Sequence, residues 1–438
     1  MKFTTLKLFV LLFCMSPLSI LAEDLESKEE AIEGVAQGEY ILIVEGYDWG
    51  PSANKVILSM DEMTSEISPN DFSVVVARSE EGVEMSPAEA KGIRKIVHAY
   101  VSDENGNFQA EGAFVTLVLL VSPTDPLSSP MKYIFKDGRG TNKWIDYHLT
   151  ITNANSKKVW DSEKKRIMPQ VDKFDLTGTY SENGIDLTYA AYSPKIDTKK
   201  VPLIIWLHGG GEGGTDTSVP LIANKATNYA SDEIQLIFGG AHVLVPQSPT
   251  FWMQSASGQY TRGKENDIYN VALMGLIKKY VLDNPDIDEK RIYIGGCSNG
   301  GYMSLKLIME HPDYFAAAYI SALAFHAKFV TDEQIESIKN IPIWFLHCKD
   351  DPVTKPEETV VPLYKRLTAS GAGNVHFSFY DNATDITGFF GGKDFRYNGH
   401  FSWIYSHSNH ANFGFDDKPV ILEGKPVSIM EWLSLQRK

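Results

Sequence analysis

Cysteine is scarce in this sequence. The chain of 438 residues contains three, Cys14, Cys297 and Cys348. Small secreted domains without a large core depend on several disulfides, so this count excludes a disulfide-built scaffold. Cys297 and Cys348 end predicted strands that another strand should separate, and a disulfide needs Cα atoms within about 7 Å. We therefore expect no bond between them.

Positive charge is also in short supply. Lysine and arginine number 41 against 56 acidic residues, and the formal net charge is −15. Proteins that bind nucleic acid or anionic membranes need cations to neutralise phosphates. The metal-binding patterns H-E-x-x-H and paired C-x-x-C are absent too. We expect no nucleic-acid partner, no membrane partner after signal cleavage, no metal and no cofactor.

Long apolar runs are missing except at the start of the chain. Residues 8–21 are apolar, follow two lysines and end before Ala22, which precedes an acidic segment. This pattern is typical of a secretory signal peptide. A membrane anchor is the alternative, but Pro17 leaves the stretch too short to span a bilayer comfortably. We predict a signal peptide at 1–22, a flexible acidic leader at 23–38, and a secreted or periplasmic protein.

Residues 39–170 contain short β-type runs separated by turn signals such as Glu104-Asn105-Gly106. The runs cover residues 40–44, 55–59, 72–77, 93–101, 113–121, 131–135 and 147–152. Seven short strands without helical periodicity predict a small all-β sandwich of immunoglobulin type. This half holds no cluster of His, Asp and Ser. This half could serve as a structural cap on the enzyme or as a ligand-binding module. It could also mediate the formation of a homo-oligomer.

A charged link at 156–173 leads into a different pattern. Two β-type runs around Asn183-Gly184 predict a hairpin with a tight turn. Beyond residue 200 apolar strands alternate with helices, including a long helix at 265–282. Such alternation predicts a mainly parallel sheet covered by helices, an α/β fold. We assign residues 171–438 to one catalytic domain and expect its chemistry at the carboxyl ends of the strands.

The segment Gly296-Cys-Ser-Asn-Gly300 lies between a predicted strand and an amphipathic helix. Strand, G-x-S-x-G and helix together are the context of a nucleophile elbow. In that sharp turn the central Ser298 takes strained backbone angles, and side chains at the flanking glycines would collide with the adjoining strand and helix. Ser298 is the candidate nucleophile, and the N–H of Asn299 would face the reacting carbonyl. An ordinary glycine-rich turn is the alternative.

A second glycine-rich segment, His208-Gly-Gly-Gly-Glu-Gly-Gly214, follows the apolar strand at 201–207. Glycines allow close backbone approach and leave N–H groups free to bind an anion. The H-G-G-G form supplies half of an oxyanion hole in lipases and esterases. A phosphate-binding loop is the alternative, but G-x-x-x-x-G-K-[ST] is absent. We predict Gly210 as the donor.

Two carboxylates and four histidines follow Ser298 in the order that a hydrolase triad requires. Asp350 and Asp351 both follow a predicted strand at 343–347, where a carboxylate can orient an imidazole. Either could instead cap the next helix. Their order along the chain does not decide between them.

His400 is the preferred base. It lies in a loop after the last predicted strand, from which its ring can reach Ser298. His376 falls inside a strand and is expected to be packed there, whereas His407 and His410 lie in a polar segment and are expected to be exposed.

Four pieces of the second half together resemble α/β-hydrolases of the carboxylesterase and prolyl-oligopeptidase-like group. They are Leu207-His-Gly-Gly-Gly-Glu-Gly-Gly214, Pro246-Gln-Ser-Pro-Thr-Phe-Trp-Met253, Gly295-Gly-Cys-Ser-Asn-Gly-Gly-Tyr-Met303 and Gly399-His-Phe-Ser-Trp403. In the first half, Val44-Glu-Gly-Tyr-Asp-Trp-Gly-Pro51 resembles the immunoglobulin-like domain that precedes the catalytic domain in a bacterial carboxylesterase family.

The resemblance settles the choice of acid. Asp351-Pro-Val matches a turn common in α/β-hydrolases, so Asp351 is preferred to Asp350. One departure lies in the same loop, because Cys348 stands where the family commonly has glycine.

The resemblance implies a serine hydrolase that cleaves esters, a carboxylesterase, and the predicted signal peptide makes it a secreted one. Ser298 would attack the ester and His400 would take its proton. Asp351 would orient His400, and the N–H groups of Gly210 and Asn299 would hold the oxyanion of the acyl-enzyme reaction.

Two other functions are compatible with the sequence. One is a serine peptidase of the prolyl-oligopeptidase type, and the other is a catalytically inactive binding module. The expected substrate is a small-molecule or polysaccharide-linked ester. We predict Trp252, Met253, Tyr302 and Trp403 as its pocket wall, with core packing as their alternative role.

Overall fold

The computed structural model describes residues 37–136, 138–195 and 200–438. The predicted signal peptide at 1–22 lies outside the described residues, as does the predicted leader up to residue 36. Gln37 and Gly38, which were assigned to that leader, instead begin the first strand.

The N-terminal half is built from β-strands, as predicted. Its ten strands are β1 (Gln37–Tyr47), β2 (Gly50–Thr64), β3 (Phe72–Ser79), β4 (Lys91–Ile93), β5 (Ile96–Ser102), β6 (Gly112–Leu119), β7 (Met131–Lys136), β8 (Arg139–Trp144), β9 (Asp146–Asn153) and β10 (Val159–Ile167). Eight of them form one sheet in the order β4-β3-β9-β10-β1-β2-β6-β5, and β7 pairs with β8 in a separate hairpin. A one-turn helix, α1 (Pro87–Ala90), precedes β4.

The eight-stranded sheet folds over on itself. Its two edge strands, β4 and β5, are separated along the chain by Arg94 and Lys95 alone, so the edges must lie close together. The buried guanidinium of Arg94 donates to the carbonyl oxygens of Ala53 and Leu120 at this junction. The side chains enclosed by the sheet are apolar and fully buried, among them Leu42, Val56, Val74, Leu117, Leu149 and Trp160.

The charged link predicted at 156–173 is wrong for half of its length. Strand β10 occupies Val159–Ile167 and pairs with β1 in parallel. Its charged residues are exposed or half-buried, while Val159 and Trp160 are buried. A partner from the far end of the domain specifies this strand, and the local sequence carries little sign of it. Strand β8 was missed for the same reason, because it is polar and is specified by its pairing with β7.

The second half begins with the predicted hairpin. Strands β11 (Asp175–Glu182) and β12 (Ile185–Tyr192) are antiparallel and flank Asn183-Gly184. Both turn residues have positive φ, 52° and 77°, as a tight hairpin turn requires. The hairpin prediction is therefore confirmed.

The remaining strands complete an α/β sheet. They are β13 (Val201–Leu207), β14 (His242–Gln247), β15 (Ile287–Cys297), β16 (Ala317–Ser321), β17 (Ile343–Cys348) and β18 (Val375–Tyr380), with a small pair β19 (Ile421–Leu422) and β20 (Lys425–Pro426). The sheet order is β11-β12-β14-β13-β15-β16-β17-β18, and all pairings from β14 to β18 are parallel. Because β16 lies between β15 and β17, Cys297 and Cys348 end non-adjacent strands, and both are free.

Helices cover this sheet. They are α2 (Ser218–Ile222), α3 (Asp232–Phe238), α4 (Asn270–Asp283), α5 (Asn299–Glu310), α6 (Asp332–Ile338), α7 (Val360–Ala369), α8 (Ile404–His407) and α9 (Ile429–Ser434). Helix α4 begins at Asn270 and not at residue 265 as predicted. The Asp267 carboxylate accepts the N–H groups of Tyr269 and Asn270, which fixes the turn that leads into the helix.

The two halves share one apolar cluster. It runs from the N-terminal sheet, with Leu42 and Val44, to Trp206 and Ile222 of the catalytic half. Burial of this common surface fixes the N-terminal sheet on the α/β sheet. In residues 37–136, 138–195 and 200–438, no helix combines the length and apolar character that crossing a bilayer demands.

Candidate active site

Ser298 stands between β15 and α5 with φ 54° and ψ −109°, a backbone conformation that L-residues rarely adopt. A Cβ on Gly300 would lie 1.9 Å from the carbonyl oxygen of Leu207, and one on Gly296 would lie 2.6 Å from the backbone of Gly300. Neither glycine can therefore carry a side chain without backbone movement. The strained turn and its need for glycine are confirmed.

His400 and Asp351 form a hydrogen-bonded pair. The ring nitrogen Nδ1 of His400 lies 2.9 Å from Oδ2 of Asp351 and 3.1 Å from its Oδ1. His400 belongs to the short 3-10 turn Gly399–Phe401, and the Asn398 side chain accepts its backbone N–H at 2.9 Å. The structure brings Asp351 to the imidazole, whereas Asp350 lies against Gly399.

Asp351 is buried and surrounded by donors. Its Oδ1 accepts the N–H groups of Val353 and Thr354, and its Oδ2 accepts the Thr354 hydroxyl at 2.7 Å. Burial by itself raises the pKa of a carboxyl, but hydrogen bonds from His347 and His400 outweigh it and hold the Asp351 pKa well below its usual range. The carboxylate is therefore ionised at neutral pH.

His347 is a member of this group that sequence reasoning missed. It is fully buried, and its Nε2 lies 3.0 Å from Asp351 Oδ2 and 2.7 Å from the carbonyl oxygen of Thr354. The sequence shows that His347 lies four residues before Asp351. It does not show that the loop after the strand brings the Asp351 carboxylate back to the His347 ring.

Ser298 and His400 line one cavity of about 720 Å³. Because Asp351 engages Nδ1 of His400, Nε2 is the ring nitrogen left for the serine. Among the described residues no hydrogen bond joins the Ser298 hydroxyl to His400, and catalytic hydrogen bonds commonly tighten only when substrate is bound.

The two predicted oxyanion donors also meet at this cavity. Gly210 opens a 3-10 turn that ends at Glu212, and a Cβ on Gly210 would lie 3.9 Å from Cβ of Asn299. Asn299 is the first residue of α5, and its side-chain oxygen accepts the N–H of Met253 at 3.2 Å. The glycine segment therefore faces the start of the nucleophile helix across the cavity.

Two of the four residues predicted for the pocket wall border this cavity. Met253 and Trp403 line the cavity. Trp252 and Tyr302 do not, since both are fully buried in the core. Trp252 packs near the His208 ring, and the Tyr302 hydroxyl donates to Asp267.

His376 and His407 have packing roles, and His410 is exposed as expected. His376 packs against Trp344 and Trp432, as expected for a strand residue. His407 was expected at the surface, which is wrong, since it is buried beside Tyr229 and Trp206 with its Nδ1 2.9 Å from the Tyr229 hydroxyl.

Part of the cavity wall comes from the N-terminal half. Asp48 and Trp49 contribute from the β1–β2 turn, and Tyr133, Gly140 and Asn142 contribute from the β7–β8 hairpin. Sequence reasoning missed all five because no local pattern marks a residue that meets its site across a domain boundary.

Comparison with known proteins agrees with this architecture. Residues 39–164 match the family model described as the esterase Ig-like N-terminal domain. Residues 193–386 match the phospholipase/carboxylesterase family model. The chain is an α/β-hydrolase of the carboxylesterase group, with an N-terminal immunoglobulin-like domain.

Among solved structures, this α/β-hydrolase is similar to a thermostable esterase with a TM-score of 0.70 and 25% identity. The match covers 91% of this chain and 100% of that one. An acylaminoacyl peptidase matches with a TM-score of 0.38 and 13% identity over 88% of this chain and 69% of its own. A putative dienelactone hydrolase from Klebsiella pneumoniae matches with a TM-score of 0.34 and 15% identity over 48% and 85%. No curated protein matches the chain in sequence.

Proposed function

We propose that this α/β-hydrolase is a serine carboxylesterase that works through Ser298, His400 and Asp351. The observation that carries the proposal is the His400–Asp351 pair at 2.9 Å beside the cavity that holds the strained Ser298. Similarity to a thermostable esterase over the full length of that protein supports an ester as substrate.

In the proposed reaction, Nε2 of His400 takes the hydroxyl proton while the oxygen of Ser298 attacks the ester carbonyl. The alcohol leaves with the proton from His400, and the acyl group stays on Ser298. Water, deprotonated in turn by His400, then releases the acid and restores the serine. Asp351 holds the imidazole through Nδ1 and stabilises its charged form.

Charge on the attacked carbonyl oxygen needs donors that are in place before the reaction. The N–H groups of Gly210 and Asn299 are our candidates, since both residues border the cavity next to Ser298. The low pKa of Asp351 supports the scheme, because an ionised carboxylate is needed throughout the cycle to stabilise the imidazolium.

The cavity wall favours a substrate with an apolar or aromatic portion. Tyr133, Tyr260, Phe401 and Trp403 border the cavity together with Met253. A volume of about 720 Å³ falls in the usual range for small-molecule sites. From the apolar segment at 8–21 we further propose that the esterase is exported and acts on esters outside the cytoplasm.

The test compares ester with amide hydrolysis. We expect p-nitrophenyl butyrate to be turned over much faster than a prolyl p-nitroanilide, with Ser298→Ala as the blank for both. Faster amide turnover would instead identify a prolyl-oligopeptidase-like peptidase. Ester hydrolysis at the same rate in Ser298→Ala would overturn the proposal.

A further inference from the structure

The β7–β8 hairpin of the immunoglobulin-like domain packs against the glycine segment of the catalytic domain, His208–Gly214. A Cβ on Gly211 would lie 3.1 Å from the Tyr133 ring and 3.3 Å from Nδ2 of Asn142. On the adjoining segment, Arg139 donates from Nη2 to the carbonyl oxygen of Thr250 at 2.6 Å. The hairpin therefore contacts both the glycine segment and the neighbouring segment that carries Thr250.

Asn142 makes the contact with the glycine segment that involves a charged side chain. Its Nδ2 donates to Oε1 of Glu212 at 2.6 Å. Glu212 closes the 3-10 turn that begins at Gly210, and 4% of its side chain is exposed. Within the described residues the other oxygen, Oε2, is buried without a hydrogen-bond partner, and a Cβ on Gly209 would lie 2.9 Å from it.

Glu212 is thus the last residue of the turn that begins with the proposed donor Gly210. Its side chain packs close to Gly209 and is hydrogen-bonded to Asn142 of the other domain. Burial raises the pKa of Glu212, although the hydrogen bond from Asn142 partly offsets this. The backbone of Gly209 and the side chain of Asn224 lower the pKa of Glu212 as well. The 2.6 Å bond from Asn142 is the contact that reaches Glu212 from the immunoglobulin-like domain, and removing a partner of a buried polar group is costly.

We propose that Asn142 is a positioning residue for catalysis, which fixes the oxyanion loop through Glu212 and so makes the immunoglobulin-like domain part of the active site. The inference rests on the proposed esterase function and adds a role for one side chain from the other domain. Asn142 acts on the loop and needs no contact with substrate.

A loop that moves away from the oxyanion weakens binding of the transition state more than binding of the ester. Asn142→Ala should therefore lower kcat about tenfold at nearly constant KM. Lys143→Ala is the matched control, since Lys143 is the next residue on β8 and pairs with Glu80 at the surface.

A swapped pair separates positioning from general loss of structure. Asn142→Asp places two carboxyl groups side by side and should lower kcat at least as much as Asn142→Ala. Adding Glu212→Gln restores the hydrogen bond with its direction reversed, and kcat should return to within about threefold of the unmodified enzyme.

The kinetics are measured on p-nitrophenyl butyrate with the full chain, with active sites counted by titration and melting temperatures recorded. A kcat for Asn142→Ala equal to that of Lys143→Ala would overturn the inference, as would a loss in Asn142→Asp that Glu212→Gln does not recover. Failure of the esterase assignment is a different result, because Ser298→Ala would then leave the hydrolysis rate unchanged.

Discussion

Nδ1 of His400 lies 2.9 Å from Oδ2 of Asp351, a residue 49 positions earlier in the chain. Strand β17 and the turn after it carry the carboxylate, while the 3-10 turn at Gly399–Phe401 carries the imidazole. His347 and Thr354 bind the same carboxylate. These two residues hold the Asp351 carboxylate in place independently of His400. The carboxylate can therefore keep the His400 ring in one orientation.

Asp351→Asn should lower kcat on p-nitrophenyl butyrate by about 10³- to 10⁴-fold, because the amide removes the charge that stabilises the imidazolium. Asp350→Asn is the matched control and should change kcat less than about threefold. Steady-state kinetics on both variants check this. Equal losses in the two variants, or a larger loss in Asp350→Asn, would show that Asp351 is not the catalytic acid.

The elbow glycines should be indispensable for folding. A Cβ on Gly300 would lie 1.9 Å from the carbonyl oxygen of Leu207, so Gly300→Ala must displace backbone. We expect a loss of at least about 2 kcal/mol in the free energy of unfolding. Gly373→Ala is the control, because no atom lies within 4 Å of a Cβ there, and it should change stability by less than about 1 kcal/mol. Urea titration measures both, and matching midpoints would contradict the tight-turn account.

Stability should fall as the pH drops below about 6.5. Burial lowers the pKa of His407 to about 3 and that of His208 to about 4. The unfolded chain takes up a proton on each ring near pH 6.5, while the folded protein does not, so acid favours unfolding. Each ring should reduce the free energy of unfolding by about 1.4 kcal/mol between pH 7.5 and 5.5.

His407→Gln isolates this effect. The amide can still hydrogen-bond the Tyr229 hydroxyl but does not titrate, so the variant should lose about 1.4 kcal/mol less than the unmodified chain over the same pH interval. An identical pH dependence for His407→Gln would show that the ring titrates normally in the folded protein.

Much of the site could be predicted because its signals are local. Ser298, its glycines and the His208–Gly214 segment each follow a strand within a few residues. The strand-end rule limited the acid to Asp350 or Asp351, and the family resemblance decided between them, while the loop position favoured His400. The hairpin at Asn183-Gly184 was equally readable, since two residues determine the turn.

The remainder depends on contacts between distant segments. Strand β10 is highly charged and is specified by pairing with β1, so it resembled a linker. Trp252 and Tyr302 adjoin site residues in sequence, yet both side chains are buried in the core. There Trp252 packs near the His208 ring, and the Tyr302 hydroxyl donates to Asp267. Nothing near Asn142 indicates that it would meet Glu212, a residue 70 positions away.

The central claim is that the Ser298 hydroxyl is the nucleophile, and active-site labelling tests it most directly. The full chain is treated with a fluorophosphonate, digested with trypsin and analysed by mass spectrometry. We predict one adduct per chain, on Ser298 in the peptide between Arg291 and Lys306, in step with loss of p-nitrophenyl butyrate hydrolysis and absent from Ser298→Ala. Full inhibition with the adduct on another residue, or labelling that persists in Ser298→Ala, would contradict the account.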